Sequence, residues 1–76
     1  MAELLEYLAR RLVAEPDAVR VETEEDEGVL VLRLHVADGD VGQVIGRQGR
    51  IARALRTIVR AGGAHEGRRI MLEIAG

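Results

Sequence analysis

The stretch Val44-Ile45-Gly46-Arg47-Gln48-Gly49-Arg50 places two glycines three residues apart, between two segments with helical patterns. Glycine adopts backbone conformations that other residues avoid, and it lets another backbone come close. A helix that begins after Gly49 would point its free N–H groups and the positive end of its dipole at this turn, an arrangement that suits a phosphate. Arg47 and Arg50 add positive charge on either side. The motif favours an anion-binding turn, and the same spacing also suits a plain tight corner between helices.

The segment after this turn carries arginine along one predicted helix face. At about 100° per residue, the arginines lie opposite the apolar positions Ile51, Leu55, Ile58 and Val59; they are Arg50, Arg53, Arg56 and Arg60. No acidic residue lies between Val41 and Ala64, so this face lacks the mixed charges of an ordinary solvated helix. Arg47, Arg50 and Arg53 are nearest to the turn, while the later arginines recede along the helix. The stripe therefore favours phosphate binding.

The net charge of −2 conceals two halves of opposite sign. Residues 1–40 hold 4 arginines and 11 acids, whereas residues 41–76 hold 7 arginines and 2 acids. Association with a charged partner depends on the local field, so the basic half indicates an anionic partner despite the acidic total. A length of 76 residues with 47% apolar and 32% charged residues predicts one small globular domain.

The residue types that are missing limit the chemistry. The sequence has no Lys, Ser, Asn, Cys, Phe or Trp, which excludes disulfides, thiolate metal sites, a Schiff-base lysine and a Ser/His/Asp triad. His35 and His65 are isolated, and the acidic run from Glu24 to Glu27 lacks the spacing of a calcium loop. We therefore expect no catalytic residue, no metal site and no cofactor.

The first half of the chain predicts a helix and a hairpin. Leucines recur at three- and four-residue spacing over residues 2–14, which indicates an amphipathic helix that stops before Pro16. Alternation of apolar and polar residues from Val19 predicts one strand, and residues 29–37 predict another. The second strand places one set of side chains on a single face: Leu30, Leu32, Leu34 and Val36. A turn at residues 25–28 makes the pair an antiparallel hairpin.

The second half predicts two helices and a last strand. Asp40 is expected to cap a short helix, with Gln43 at capping-box spacing. The arginine-bearing helix starts at Arg50 and is expected to end at Gly62-Gly63, before a loop over residues 64–68. A final strand alternates over residues 70–74. The order α-β-β-α-α-β, with the helices on one face of a three-stranded sheet, is an α+β, two-layer domain.

This order, with a glycine turn between the last two helices, resembles the type II KH domain over essentially the whole chain, residues 1–76. The run from Ile45 to Arg50 is similar to the KH signature loop, and its continuation through Ala54-Leu55-Arg56 resembles the small bacterial single-KH proteins of the KhpA type. The resemblance implies non-catalytic binding of single-stranded RNA, with the loop clamping the backbone of about four nucleotides. It is consistent with a post-transcriptional regulator or an RNA chaperone.

The resemblance also implies roles for individual residues. The two glycines would let the sugar-phosphate chain approach, the nearby arginines would supply charge, and Ile45 with Leu34 or Val36 would line an apolar groove for the bases. The residues implied to contact RNA are Ile45, Gly46, Arg47, Gln48, Gly49, Arg50 and Arg53.

The family resemblance further implies a partner chain, either a second copy in a homodimer or a KhpB-type (Jag-like) KH protein. Glu3 and Glu6 stand where a signal peptide would be basic, and no apolar run reaches membrane-spanning length. We therefore expect a cytoplasmic protein that has no membrane partner. The residues alone also allow a protein–protein interaction module whose arginine-rich face meets an acidic partner.

Overall fold

Six helices and strands follow one another in the computed structural model, which describes residues 1–75. They are α1 (Ala2–Leu12), β1 (Arg20–Asp26), β2 (Val29–His35), α2 (Val41–Ile45), α3 (Arg50–His65) and β3 (Arg69–Ala75). β1 pairs antiparallel with β2, β2 pairs parallel with β3, and the sheet order is β1-β2-β3. The predicted α+β domain, with its α-β-β-α-α-β order, is confirmed.

One face of the sheet carries the core. Alternate residues of β2 and β3 point to this face and are buried by side chains from all three helices. The buried apolar residues are Leu5, Ala9, Val19, Leu32, Leu34, Val36, Val44, Ala52, Leu55, Val59, Ile70 and Leu72. The predicted two-layer packing is therefore confirmed. Within residues 1–75, no helix has the length and apolar character needed to cross a membrane.

The hairpin turn is tighter than the sequence predicted. β1 continues to Asp26, so residues 25 and 26 belong to the strand, and the turn itself is Glu27-Gly28. Both turn residues have positive φ, 50° and 83°, which is the geometry of a type I′ turn and matches the twist of the paired strands. Cross-strand pairing extended the strand through a run of acidic residues that local preference alone assigned to the turn.

Asp40 does not form the predicted capping box. Its side chain makes no cap hydrogen bond to α2. Instead, its buried carboxylate accepts hydrogen bonds from the backbone N–H groups of Ala14 and Glu15, both at 3.1 Å. These two donors became available because α1 ends at Leu12, two residues before the predicted end, and Val13 is extended. Asp40 therefore joins the chain after α1 to the start of α2.

The prediction that Gly62-Gly63 ends the last helix is wrong. α3 runs through both glycines to His65, and the chain reverses at Gly67, where φ is +67°. Gly63 is buried because β3 begins directly beside it: a Cβ on Gly63 would lie 2.5 Å from the carbonyl oxygen of Arg68. Arg68 also donates its N–H to the carbonyl of Gly63 at 2.7 Å. Glycine here serves close packing rather than helix termination.

The buried face of α3 is rotated from the predicted one. Ala52 and Gly63 are buried with Leu55 and Val59, whereas Ile58, predicted to face the core, is 39% exposed. The centre of the buried face is shifted by roughly 60° on the helical wheel. Small residues on that side allow α3 to approach β3, and this rotation brings the arginine face next to β3.

We expect Gly63→Ala to lower the free energy of unfolding by about 1–3 kcal/mol, because its Cβ would collide with the backbone at Arg68. Gly62→Ala is the matched control, since its Cβ would meet only the flexible end of the Met1 side chain. That variant should be neutral or slightly stabilising, given the higher helix propensity of alanine. Urea denaturation followed by circular dichroism measures both. Equal losses in the two variants would contradict the close-packing role of Gly63.

Candidate nucleic-acid interface

The short helix α2 leads directly into the glycine loop, Gly46–Gly49. Asp40 fixes the start of α2, and the fully buried Val44 anchors it in the core. The helix ends when Gly46, with φ 75° and ψ 172°, donates its N–H to the carbonyl of Gly42 at 2.9 Å. This ε-region conformation is essentially restricted to glycine. The loop is therefore held by the fold on its α2 side.

The two glycines of the loop have different roles. A Cβ on Gly46 would lie 2.7 Å from Cγ1 of Ile51, so this glycine is required for packing within the protein. Gly49 is left-handed, with φ 73° and ψ 16°, and a Cβ there would meet no atom within 4 Å. Sequence reasoning assigned close approach of a ligand to both glycines. Among the two, only Gly49 has open space for it.

Arg53 organises the loop from the first turns of α3. Its Nη2 donates a hydrogen bond to the carbonyl oxygen of Gln48 at 2.8 Å. Gln48 has φ 57°, an unfavourable conformation for a residue with a side chain, and this bond helps to hold it. The predicted contact residue Arg53 is thus also a positioning residue, and its charge stays at the loop.

The arginines near the loop lack carboxylate partners. Arg10, Arg20, Arg33 and Arg68 each form an ion pair, mostly with residues of the acidic half. Over residues 1–75, by contrast, no ion pair involves the loop and α3 arginines: Arg47, Arg50, Arg53, Arg56 and Arg60. The N-terminal dipole of the 16-residue α3 adds positive potential at the same end. The result is a continuous cationic surface that begins at the loop.

A groove separates the arginine face of α3 from the free edge of β3. Its central part has a volume of about 100 Å³ and is lined by Arg56, Arg60, Ile70, Met71 and Leu72. β3 is the last strand of the sheet, so its outer edge presents unpaired backbone donors and acceptors. This α3–β3 groove combines an apolar floor with hydrogen-bonding groups and positive charge.

The structure corrects the lining predicted for the base groove. Leu34 and Val36 are 0% and 4% exposed and belong to the core, because they share the inner face of the sheet with the helices. Ile45 is 39% exposed and flanks the glycine loop. Sequence reasoning missed the contribution of β3 to the groove. The signal in the sequence that could have indicated this contribution was the pair Arg68-Arg69, which comes directly before an alternating strand.

The chain matches a family model described as the KhpA/KhpB KH domain over residues 2–74. It is 50% identical over 72 residues to RNA-binding protein KhpA of Treponema pallidum, with 95% of this chain and 90% of the relative covered. Identity to RNA-binding protein KhpA of Clostridium acetobutylicum is 46% over 74 residues, with 97% and 99% covered. The corresponding protein of Bacillus subtilis is 40% identical over 74 residues, with 97% and 91% covered.

Solved structures of Era share the fold. A crystal structure of Aquifex aeolicus Era bound to GDP and aluminium fluoride superposes with a TM-score of 0.61 at 20% sequence identity. The superposition covers 96% of this chain but 28% of the Era chain. The likeness therefore concerns the fold of one part of Era.

We expect the two loop glycines to respond differently to alanine. Gly46→Ala should lower the free energy of unfolding by about 3 kcal/mol, since it combines a forbidden conformation with a collision against Ile51. Gly49→Ala should cost only about 1–2 kcal/mol, the penalty of a left-handed residue in open space. Denaturation curves of both variants measure the difference. A Gly49→Ala variant less stable than Gly46→Ala would contradict these roles.

Proposed function

This chain belongs to the KhpA/KhpB family of KH domains, and on that premise we propose that it binds single-stranded RNA through the glycine loop, without catalysing a reaction. The observation that carries the proposal is the row of unpaired arginines that starts at a loop with open space at Gly49. The relatives named RNA-binding protein KhpA support the same ligand.

In the proposed complex, the RNA backbone lies across Gly49 and the N-terminal end of α3. Without a side chain at Gly49, a phosphate reaches the backbone N–H groups at the start of the helix, where the dipole favours negative charge. The exposed guanidinium groups of Arg47 and Arg50 flank this position, and each offers the forked geometry that suits phosphate oxygens. Arg53 keeps the loop backbone in place through Gln48.

Bases of the same strand would turn toward the α3–β3 groove. Ile45 lies at the entrance next to the loop, and the exposed Met71 supplies apolar surface in the groove above the buried Ile70 and Leu72. The free edge of β3 offers backbone groups that pair with base edges. The chain has a single aromatic residue, Tyr7, and it lies on α1, so affinity comes from charge and hydrogen bonds more than from aromatic stacking.

The proposal extends to cellular role and partner. A small RNA-binding domain of this kind fits a post-transcriptional regulator or RNA chaperone, and RNA as the ligand favours the cytoplasm. We propose that the chain associates with a partner, either a second copy or a KhpB-type protein, because a 76-residue domain without cross-links has a small core. The family model that spans both KhpA and KhpB is compatible with either partner.

Replacing Arg47 and Gln48 together by Asp should reduce affinity for single-stranded RNA by at least about 100-fold, because two acids beside a phosphate convert attraction into repulsion. The fold should survive with a stability change under about 1 kcal/mol, since both residues are exposed and Asp tolerates the left-handed conformation of Gln48. Fluorescence anisotropy with a labelled oligonucleotide measures the affinity.

The matched control for this variant is Arg11→Asp with Ala18→Asp, which makes the same change in net charge at exposed positions away from the loop. It should bind RNA within about threefold of the wild type, because neither residue belongs to the loop or to α3 and solvent screens exposed charges. If the loop variant binds as well as the control, the glycine loop is only a corner between helices.

The protein should prefer single-stranded RNA to duplex of the same length by at least about tenfold. A clamp that turns bases into a groove needs unpaired bases, which an A-form duplex does not present. Competition of unlabelled single strand and duplex against one labelled oligonucleotide gives the ratio. Equal affinities would instead indicate a general electrostatic surface, and displacement by polyglutamate but not by RNA would favour the acidic protein partner.

A further inference from the structure

A larger cavity lies at the opposite end of α3 from the glycine loop. It has a volume of about 380 Å³ and is lined by Arg60, Ala64, Arg68, Arg69, Ile70 and Met71. It shares Arg60, Ile70 and Met71 with the central part of the α3–β3 groove. The groove is therefore continuous from the central part into this cavity.

We infer that Arg60 and Arg69, with Arg68 beside them, form a second phosphate-binding site, which holds RNA that continues along α3 after leaving the glycine loop. The inference rests on the proposed RNA binding and adds a separate anchor to it. Arg60 lies ten residues after Arg50, about 15 Å along the helix. The cluster is thus distant from the residues that surround the loop, but the row of unpaired arginines leads to it.

The fold itself brings these three arginines together. Gly63 allows β3 to start directly beside α3, and the left-handed Gly67 makes the reversal possible. Arg68 and Arg69 consequently lie next to Arg60, which belongs to the preceding helix. The small Ala64 side chain leaves space between them. Three arginines thus line one cavity, and the guanidinium group of Arg68 is paired with Glu25 of β1.

The charge around the cavity favours an anion. Arg68 pairs with Glu25 of β1, whereas Arg60 and Arg69 form no ion pair with any carboxylate of residues 1–75. The other acid near the α3–β3 connection, Glu66, is exposed and does not line the cavity. Guanidinium groups bind phosphate oxygens through paired hydrogen bonds. A strand already anchored at the loop supplies such phosphates at high local concentration.

The test uses the full chain and oligouridylates of four and eight nucleotides, with affinity measured across a salt series. Each additional phosphate contacted on a single strand should steepen the log–log salt dependence by about 0.7. Extra binding registers on the longer RNA raise its affinity but leave this slope unchanged. For the wild type we expect the slope with eight nucleotides to be steeper than with four by about 1.4, equivalent to two phosphates.

The variant Arg60→Gln with Arg69→Gln should lose this difference between the two lengths. Arg69→Gln alone, at a residue that lines the cavity but not the central part of the groove, should lose about half of the difference while it binds the four-nucleotide RNA within about threefold of the wild type. Arg68 is left in place because of its ion pair with Glu25. The control Arg11→Gln with Arg20→Gln removes two exposed arginines away from the groove and should keep the wild-type difference. If the double variant unfolds, the single variants should each lose about half of the difference.

Several outcomes would overturn the inference. One is an unchanged slope difference in the Arg60/Arg69 variant, and another is an equal loss for both RNA lengths in the Arg69→Gln variant, which would assign the cavity to the primary clamp. Loss of polyglutamate binding without any change in RNA slopes would assign the cavity to a protein partner. Failure of the wild type to bind four nucleotides, or binding that is insensitive to the loop substitutions, would instead reject the proposed function.

Discussion

The position of the glycine loop depends on one buried carboxylate. Asp40 is the only buried charged residue among residues 1–75, and it accepts hydrogen bonds from the N–H groups of Ala14 and Glu15. A carboxylate is costly to bury unless such donors satisfy it, and unpaired backbone donors are costly as well. The end of α1 and the start of α2 are therefore fixed to each other. Since α2 is only five residues long, the loop that follows has little freedom.

The other side of the site depends on the small residues of α3. Ala52 and Gly63 are buried, and at Gly63 the backbone of Arg68, directly before β3, comes within contact distance. Larger residues there would push the helix away and close packing would be lost. Because this contact rotates α3, its arginine face stands beside the free edge of β3 rather than pointing directly away from the sheet. The groove is a consequence of that rotation.

Helical and strand periodicity predicted the order of elements, the inner face of β2 and the glycine turn, because these depend on local pattern. The errors occur where a tertiary contact overrides a local preference. Asp40 has the spacing of a helix cap but bonds to a segment 25 residues away. Gly62-Gly63 has the composition of a helix end, yet the helix continues because β3 needs space there. The groove role of Leu34 was implied by the family resemblance, and the structure instead places this residue on the inner face that the alternation of β2 predicted. The cavity formed by α3 and β3 requires the parallel pairing of β2 with β3, which no single segment encodes.

The distribution of ion pairs explains why an acidic protein presents a cationic surface. On the open face of the sheet, Arg33 lies between Glu73 and Glu24, and the pKa of Arg33 is raised chiefly by the hydrogen bond and charge of Glu73 and further by Glu24. His35 contacts Glu22 on the same face. The acids thus pair with Arg20, Arg33 and His35 of the sheet and with Arg68 of the α3–β3 connection, and within residues 1–75 no ion pair reaches Arg69, the loop or the middle of α3. The loop and α3 arginines carry the same charge and have no carboxylate partners in the part of the chain that the structure describes, so they repel one another and raise the free energy of the folded state. A chain of phosphates bound along these arginines would remove that repulsion, and its relief would contribute to the free energy of binding.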